Sequence, residues 1–583
     1  MAKEHLHEFE HNNRKPDSSI SRRRFLMMAG TSAVALAVPP TGYGESKGTP
    51  IMPTEPDTRI PDTFDLVERA DFVINAITRC TNTEAEHAVY FYTNLYRNPP
   101  TMIRQIPLYG KFIEGLALAR LMTGSTYNQH VDRIWQDALL RKLKEEKPVL
   151  LGPEGGRQTA WLGIQYTVSR DPMWKELGNS AIRRALDAAV HRYNYCYFPY
   201  DASTIPTGWA ATLQGWTLQG VTQFFNATGS DIALELAGKL ARYLKDHAEV
   251  FDSEGRFLAR HGDSIPRSPE SRLGPALHFH HNGNAMDALA EYALATGDAE
   301  FTEFVNKCYH YARSLKDSSP LVGFFPEYIE DWPDERGVVD CEGCCVVDML
   351  LTSLWLTKAG AGDYWDDIDR YLRNQFAEMQ MTSGDWITCM AEKRPPQPIG
   401  EDEVAVGDPD RCVGSFAGWS SANDFWIGAG NGIMHCCTGN GARALYYLWE
   451  NMIDFKEGEL HLHLLLNRES AWAEITSHIP HHGRVDITLK QECARIAVRV
   501  PEWIETRDSR ISCTLNGAPH SLGWAGRYAV VEGASPGNTI RLDFPIPERT
   551  VEETIGEVDY TLRLKGNNVV SISPPGKNYP FYQ

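Results

Sequence analysis

Residues 216–244 read WTLQGVTQFFNATGSDIALELAGKLARYL, and this stretch predicts two helices joined by a tight turn at Gly229-Ser230. Apolar residues recur every three or four positions on both sides of the turn, as they do on one face of a helix. A glycine just after a helix adopts the left-handed backbone conformation at little cost, and the serine that follows can cap the next helix. The stretch therefore predicts a helical hairpin.

The same plan of helix, turn and helix recurs along the chain. Further copies turn at residues 124–125, 297–298 and 362–363, a degenerate copy lies around 169–171, and residues 442–453 supply a last inner helix. A helix pair cannot bury its apolar face alone, so the pairs must either stack in an open solenoid or close into a ring. Irregular spacing and long loops favour closure. We predict a ring of five or six hairpins over residues 63–455.

After about residue 456 the apolar pattern changes from helical to alternating. Every second position is apolar in two stretches, namely Ile496, Val498 and Val500, and Ile540, Leu542, Phe544 and Ile546. Such alternation is typical of strands with one buried face, and Asn516-Gly517 is a turn signal between strands. We therefore predict a C-terminal β-sandwich over residues 456–583, which makes the protein mainly α with β.

The composition limits the class of protein. A chain of 583 residues exceeds one ordinary hydrophobic core, so two or three domains are expected. Its 42% of hydrophobic residues is typical of a globular protein. The net charge of −19 repels phosphate backbones, so we expect no nucleic-acid partner. Twelve cysteines are too few for a disulfide scaffold of this length.

The amino terminus resembles an export signal. Ser21-Arg22-Arg23-Arg24-Phe25-Leu26 is a twin-arginine pattern, and a short apolar run follows it. Alanines at 33, 35 and 37 offer a cleavage site, so residues 1–37 are predicted to be a signal peptide and the proline-rich residues 38–62 a linker. No other segment is long and apolar enough to be a membrane anchor. We expect a periplasmic or secreted protein.

Five of the twelve cysteines fall in two short clusters, Cys341-Glu342-Gly343-Cys344-Cys345 and His435-Cys436-Cys437-Thr438-Gly439-Asn440. Adjacent cysteines seldom bond each other, because the resulting ring strains the peptide. Soft thiolates together with one carboxylate favour a tetrahedral zinc ion. The isolated cysteines are expected to be small buried hydrophobic residues; they are Cys80, Cys196, Cys308, Cys389, Cys412, Cys493 and Cys513.

Three interpretations of the clusters compete. Cys341 and Cys344 have the spacing of a redox pair, but no βαβ pattern surrounds them. A structural zinc site would use those two cysteines with Cys436 and Cys437. A catalytic site would use Glu342 in place of Cys341. The spacing alone does not decide between the structural and the catalytic site.

The paired motifs Glu342-x-Cys344 and Cys436-Cys437-x-x-Asn440 resemble those of the family-127 glycoside hydrolases, the β-L-arabinofuranosidase group. The stretches 500–503 (VPEW) and 515–517 (LNG) look like the strands that follow the barrel in that family. The resemblance runs from about residue 65 to 550. It implies an (α/α)6 barrel followed by a C-terminal β-sandwich.

The resemblance also implies residue roles. It implies that Cys436 is the catalytic nucleophile, and that a glutamate upstream of the Glu-x-Cys motif is the acid/base. Glu327 is the nearest candidate, while Glu330 and Asp331 are close to it in sequence. The metal ligands that the resemblance implies for Zn²⁺ are Glu342, Cys344, Cys436 and Cys437.

The sugar-binding residues are expected to differ from those of the family. Lys111 stands where the family usually has histidine, and a lysine beside a sugar would favour an anionic one. Gln214 lies near the position of a second such histidine. The run His278, His280 and His281 falls where a third is expected, and it is either a sugar-binding edge or an ordinary polar loop. We therefore take Lys111 and these three histidines as the candidate substrate-binding residues.

Together these features predict an exported, zinc-dependent, retaining glycoside hydrolase with a cysteine nucleophile. Its partner is expected to be a carbohydrate, from whose side chains it releases a terminal, β-L-arabinofuranose-like sugar. One alternative is a polysaccharide lyase, because helical toroids joined to β-sandwiches also occur there. A second alternative is a non-catalytic carbohydrate-binding protein with a structural zinc.

Overall fold

The computed structural model describes residues 63–199, 210–258, 264–265, 276–329, 338–427 and 431–583. The predicted signal peptide, the predicted linker, Glu330 and Asp331 lie outside these residues. Within them, no helix combines the length and the apolar character needed to cross a membrane.

The part of the chain before residue 452 is mainly helical. Its α-helices, in chain order over the described residues, are α1 (Leu66–Arg79), α2 (Gly110–Thr123), α3 (His130–Arg141), α4 (Gly152–Ser169), α5 (Pro172–Ala188), α6 (Ala210–Thr228), α7 (Asp231–Asp246), α8 (Phe279–Thr296), α9 (Ala299–Arg313), α10 (Gly343–Lys358), α11 (Trp365–Tyr371), α12 (Asp385–Glu392) and α13 (His435–Asn451). Two π-helical turns, Lys142–Glu146 and Leu372–Phe376, extend α3 and α11.

Six helices, called the ring helices below, pack on one another in a closed cycle. In this cycle α2 packs on α4, α4 on α6, α6 on α8, α8 on α10, α10 on α13, and α13 on α2. The other long helices pack on the ring helix beside them in sequence, and α1 packs on both α2 and α13. The ring helices α8 and α10 are buried along nearly their whole length. By contrast, α7 has one buried stripe, as expected of an outer helix.

The turns that the sequence analysis singled out have the expected geometry in three hairpins. Gly124, Gly229 and Gly297 take φ values of +65°, +62° and +67° at the ends of α2, α6 and α8. Two boundaries differ from the prediction. Helix α10 ends at Lys358, before Gly362, and α13 begins at residue 435 instead of 442. The first turns of α13 are polar, so apolar periodicity missed them.

Helices α4 and α6 approach each other more closely than side chains would allow. Gly156 on α4 faces the main chain of Trp216, and Gly220 on α6 faces the main chain of Gly156. A Cβ atom at either glycine would overlap those backbone atoms. The absence of side chains at these two positions therefore allows the short distance between α4 and α6.

We expect Gly220→Ala to destabilise the fold by about 3 kcal/mol, because its methyl group would overlap a backbone that cannot turn aside. Thermal and urea unfolding measure this loss. Gly238→Ala on the outer helix α7 is the matched control, since its nearest neighbour is the Tyr292 hydroxyl at 3.3 Å. The control should change stability by less than about 1 kcal/mol. Equal effects of both substitutions would contradict the role given to Gly220.

Three small sheets lie among the helices. One contains β1 (Thr81–Asn82), β2 (Ala88–Asn94), β3 (Thr101–Ile106), β9 (Glu403–Ala405) and β10 (Gly432–Met434); β4 (Val190–His191) pairs with β5 (Cys196–Tyr197); and β6 (Ser264–Ile265), β7 (Ala276–His278) and β8 (Tyr328–Ile329) form the third. In the third sheet β7 and β8 are antiparallel, with His278 opposite Tyr328. This pairing brings β8, which is distant in sequence, to the start of α8.

Strands dominate after α13, as the alternating pattern predicted. One sheet has the order β11 (Ile453–Lys456), β12 (Glu459–Leu462), β16 (Arg495–Arg499), β20 (Tyr528–Glu532) and β19 (Gly523–Ala525). A second has the order β13 (Arg468–Glu469), β14 (Ala473–Ser477), β15 (Arg484–Leu489), β21 (Thr539–Asp543), β17 (Ser512–Leu515) and β18 (Ala518–His520). The third is β22 (Glu548–Ile555), β23 (Val558–Lys565) and β24 (Asn568–Ser573).

The last ten residues follow β24 and attach to the helical part. The Asp424 carboxylate accepts hydrogen bonds from the backbone N–H groups of Lys577, Asn578 and Tyr579 at 2.6–2.8 Å. The Tyr579 ring stacks on Trp386 at a centroid distance of 4.6 Å. The end of the chain therefore packs on the segment that leads to β10 and α13.

Candidate active site

The first turns of the ring helices meet at one end of the cycle. The backbone N–H of Gly110, which begins α2, donates to Glu154 in the first turn of α4 at 2.8 Å. The N–H of Gly152, which begins α4, donates to the Thr217 hydroxyl, two turns into α6, at 2.9 Å. Likewise the Cys344 thiol on α10 lies 3.8 Å from that of Cys436 on α13. Side chains from several helices can therefore converge on one ligand.

The N-termini of the ring helices are uncapped where the structure describes them. The residues that precede α2, α4, α8, α10 and α13 make no side-chain cap hydrogen bond. Outer helices α1, α5, α7 and α9 are capped by Asp65, Asp171, Ser230 and Asp298. The helix dipole makes a helix N-terminus partly positive, so this end of the ring favours thiolates and carboxylates.

Four of the sequence-predicted residues form one buried group. Glu342 immediately precedes α10, Cys344 lies in the first turn of α10, and Cys436 and Cys437 lie in the first turn of α13. One ligand atom from each lies within 4.8 Å of the others. Cys341 stays outside this group, because its thiol faces the backbone carbonyl of Glu342 at 3.6 Å. The geometry therefore favours the Glu342 set over the four-cysteine set.

The spacing of the group fits a tetrahedral metal ion. The three sulfur–sulfur distances are 3.6, 3.8 and 3.8 Å. The Glu342 Oε1 atom lies 3.3 Å from the Cys436 sulfur and 3.5 Å from the Cys437 sulfur. Zinc–sulfur bonds of about 2.3 Å in a tetrahedron place sulfurs about 3.8 Å apart and an oxygen ligand about 3.5 Å from each. The donor set and its separations thus suit one zinc-sized ion.

Cys436 differs from the other members of the group in exposure and acidity. It retains 7% of its surface, whereas Cys344 and Cys437 retain 0%. Burial raises the pKa of a thiol, but hydrogen bonds from Cys344 and Cys437 lower that of Cys436 to about 6. Burial raises the pKa of Cys344 to about 12. Cys436 is therefore the least buried of the three cysteines and the one whose thiol ionises first.

His278 connects the buried group of three thiols and one carboxylate to Glu327. Its Nε2 atom lies 3.2 Å from Glu342 Oε2 and 3.5 Å from Glu327 Oε1. The pairing of β7 with β8 fixes this arrangement, and the N–H of Phe279 donates to the Glu327 carbonyl at 2.8 Å. A chain of contacts therefore runs from Cys436 through Glu342 and His278 to Glu327.

The two glutamates differ in their ionisation. Burial raises the pKa of Glu327 to about 8, against the opposing effect of the His278 hydrogen bond. Burial also acts on Glu342, but hydrogen bonding from His278 and the nearby charge of His280 hold its pKa well below the ordinary value. Glu342 is therefore a carboxylate, and Glu327 is a protonated acid at neutral pH. Such a pair of different carboxyl groups is typical of acid/base sites.

The other two predicted histidines also reach this end of the ring. His280 Nδ1 lies 2.6 Å from the carboxylate of Asp348, which follows Cys344 by one helical turn on α10. Burial opposes the charge of His280, but Asp348 raises its pKa to about 9. Burial, with the charges of His278 and His280, holds the pKa of His281 well below the ordinary value. All three histidines are buried.

Two residues of this region were missed by the sequence analysis. Asp348 orients His280, and its position four residues after Cys344 on one helix was the available signal. Trp216, on α6, has its ring 5.6 Å from that of His280. No motif marked the tryptophan, because one tryptophan in an amphipathic helix is usually part of a core.

Lys111, in the first turn of α2, is 2% exposed. Its ammonium lies over the Trp216 ring, 4.7 Å from the centroid. Burial opposes its charge, but the thiols of Cys344 and Cys436 raise its pKa. Gln214, the other position that differs from the family, instead pairs with the backbone N–H and carbonyl of Phe198. Only Lys111 of this pair therefore belongs to the electrostatic surroundings of the thiols.

The remaining cysteines follow the prediction with one exception. Six of the seven isolated cysteines are buried, and Cys389 is exposed. Cys389 lies on the short helix α12, whose buried face is formed by Ile387, Met390 and Ala391, so the prediction of a buried residue was wrong there. His435 is buried and hydrogen-bonds the hydroxyls of Thr93 and Thr438.

The fold resembles solved glycoside hydrolase structures. No protein-family model and no curated protein matches the sequence. A GH127 β-L-arabinofuranosidase from Geobacillus stearothermophilus T6 is similar in structure, with TM-score 0.51, 14% identity, and coverage of 88% of this chain and 81% of that one. A second GH127 β-arabinofuranosidase has a TM-score of 0.54 and 13% identity, with coverage of 86% of this chain and 81% of that one. A third structure, described only as a glycoside hydrolase, has a TM-score of 0.57 and 13% identity, with coverage of 88% of this chain and 81% of that one. The resemblance to family 127 therefore extends to the fold.

Proposed function

We propose that this protein is an exported, retaining glycoside hydrolase that uses Cys436 as its nucleophile and Glu327 as its acid/base. The observation that carries the proposal is the buried group of three thiols and one carboxylate, in which Cys436 is the least buried residue. The similar fold of the GH127 β-L-arabinofuranosidases supports a substrate with a terminal, β-L-arabinofuranose-like sugar. The cycle of ring helices is, on this proposal, the inner layer of an (α/α)6 barrel, and the later strands form a β-sandwich.

The proposed metal ion is Zn²⁺, held by Glu342, Cys344, Cys436 and Cys437. A bound zinc ion would keep the cysteine sulfurs deprotonated at neutral pH, at some cost to their nucleophilicity. Glu342 suits this role because it is ionised, and His278 fixes its second oxygen at 3.2 Å. A hydrogen bond from Asn440 Nδ2 to the Cys344 sulfur at 3.1 Å holds a ligand that does not react.

In the first half of the reaction, Glu327 donates its proton to the glycosidic oxygen as the bond to the leaving group breaks. The Cys436 sulfur attacks the anomeric carbon with its electron pair and forms a thioglycosyl enzyme. The raised pKa of Glu327 keeps the acid protonated at neutral pH, and the lowered pKa of Cys436 supplies the thiolate. Sulfur thus replaces the nucleophilic carboxylate of ordinary retaining glycosidases.

In the second half, Glu327 is a carboxylate and accepts a proton from an incoming water molecule. The resulting hydroxide attacks the anomeric carbon, the carbon–sulfur bond breaks, and Cys436 leaves as a thiolate. Two inversions at one carbon give a sugar with the starting configuration. His278 contacts both Glu327 and Glu342, so it can hold the acid/base in place through both steps.

A non-catalytic carbohydrate-binding protein with a structural zinc is the second candidate. The observation that favours it is the complete set of four protein ligands, which is typical of structural zinc sites. This candidate predicts tight sugar binding without turnover. Catalysis predicts instead that Cys436, the least buried of the four, attacks the sugar.

A screen of aryl glycosides, with metal analysis of the same sample, tests the proposal. We expect one zinc ion per chain, hydrolysis of at least one furanoside, and a first-formed product of retained configuration by NMR. Inverted product would contradict the cysteine mechanism. If the protein holds one zinc ion per chain and binds sugar but hydrolyses no glycoside, the result favours the non-catalytic candidate with a structural zinc. An unsaturated product absorbing in the ultraviolet would identify a lyase.

A further inference from the structure

Lys111 is almost fully buried, and no hydrogen bond or ion pair joins its ammonium to another described residue. Its side chain is 2% exposed, and within the described residues no carboxylate lies within 4.0 Å of Nζ and no hydrogen-bond acceptor is in reach. The ammonium lies over the face of Trp216, 4.7 Å from the ring centroid. Burying a charge without a hydrogen-bonded partner is costly, so an ammonium in this position points to a ligand.

The position of Lys111 places that ligand at the proposed catalytic group. Lys111 lies in the first turn of α2, and a Cβ atom at Gly439 on α13 would lie 2.6 Å from the Cβ of Lys111. Gly439 follows Cys436 by three residues in the first turns of α13. Trp216, which carries the ammonium on its face, also neighbours His280. The cation therefore lies among the residues proposed to surround the reacting sugar.

Balancing the charge of the thiols is the other role that Lys111 could have. A residue with that role would be expected to donate a hydrogen bond to a sulfur, as Asn440 does to Cys344 at 3.1 Å. Lys111 makes no such bond to a sulfur within the described part of the chain. Its three donor hydrogens therefore remain available to a substrate.

We propose that Lys111 binds an anionic substituent of the sugar, so that the enzyme selects acidic over neutral glycosides. The inference rests on the proposed function and names the substrate class of that site. The substituent is a carboxylate or a sulfate ester, either of which accepts hydrogen bonds from an ammonium. The net charge of −19 repels anions in general, so selection of an acidic sugar needs a local cation such as Lys111.

The test compares kcat/KM on pairs of aryl glycosides that differ only in a carboxylate or a sulfate ester against a hydroxyl group. We expect the wild type to prefer one anionic member, and the preferred anion identifies the substituent. Lys111→Gln should lower the ratio of anionic to neutral kcat/KM by about 30-fold or more, and Lys111→Arg should restore most of it. Lys144→Gln removes a lysine charge at an exposed position and should leave the ratio unchanged.

Other outcomes would overturn the proposal. A wild type that prefers the neutral sugars would do so, as would an unchanged ratio in Lys111→Gln. If Lys111→Gln lowers kcat/KM equally on the anionic and the neutral glycosides and also loses zinc, then Lys111 balances the charge of the thiols instead. Should no glycoside be hydrolysed, the proposed function fails by itself. Calorimetry can then measure the binding of the free acidic and neutral sugars to the wild type and to Lys111→Gln. This still tests whether Lys111 binds the anionic substituent, because it requires no turnover.

Discussion

Cys436→Ala is expected to lower kcat by about 10,000-fold or more, because it removes the atom that attacks the anomeric carbon. The fold should persist, because the change removes one small side chain from the first turn of a helix that packs on three others. Glu342, Cys344 and Cys437 remain as ligands, and three protein ligands with a water molecule can hold a zinc ion. Activity, zinc content and thermal unfolding of the same preparation separate loss of chemistry from loss of structure.

The chain supplies a matched control for this substitution. Cys345 is buried beside Cys344 on α10 but lies outside the four-residue group, and burial raises the pKa of its thiol. Cys345→Ala should therefore keep zinc and most of the activity. Cys437→Ala should lose activity together with zinc affinity, because it removes a fully buried ligand. Turnover by Cys436→Ala within tenfold of the wild type would show that another residue attacks the sugar.

Glu327→Gln is expected to have the second largest effect, a loss of about 100-fold to 10,000-fold on glycosides with a poor leaving group. Glutamine keeps the shape of the side chain but has no proton to give the leaving oxygen. An aryl glycoside with an acidic phenol needs little protonation, so its first step should be nearly unaffected and the thioglycosyl enzyme should accumulate. Burst kinetics on a series of phenols measure this dependence on the leaving group.

The pH dependence gives an independent check on the same residue. Burial raises the pKa of Glu327 to about 8, so the acid is protonated below that pH and loses its proton above it. Wild-type kcat/KM should accordingly fall as the pH rises through about 8. Glu327→Gln should lack this alkaline decline. An identical decline in the variant, or the same leaving-group dependence in Glu330→Gln, would assign the acid to a different residue.

The hairpins were predictable because their signals are local. Each copy has a short-range pattern of apolar residues and a turn residue, and the left-handed φ values at Gly124 and Gly229 follow from that pattern. The start of α13 was not predictable from periodicity, because its first turns carry the polar and thiol side chains of the site in place of an apolar face. The elements that bear the chemistry are thus those where the helical pattern is weakest.

The candidate site was predictable as a set of residues but not as an arrangement. The two cysteine clusters and the resemblance to family 127 pointed to Glu342 and Cys436, whereas their meeting depends on the packing of α10 against α13. The contact of His278 with Glu327 depends on the pairing of β7 with β8, a long-range register that no local pattern encodes. Asp348 could have been predicted from the sequence, since it lies one helical turn after Cys344.

Trapping the proposed covalent enzyme tests the central claim most directly. The Glu327→Gln variant is mixed with an aryl glycoside of an acidic phenol, quenched with acid, and analysed by intact mass and peptide mapping. The account predicts one added glycosyl group per chain, attached to the sulfur of Cys436. A glycosyl group on Glu342 or another carboxylate, or rapid turnover with no labelled protein and inverted product, would contradict it.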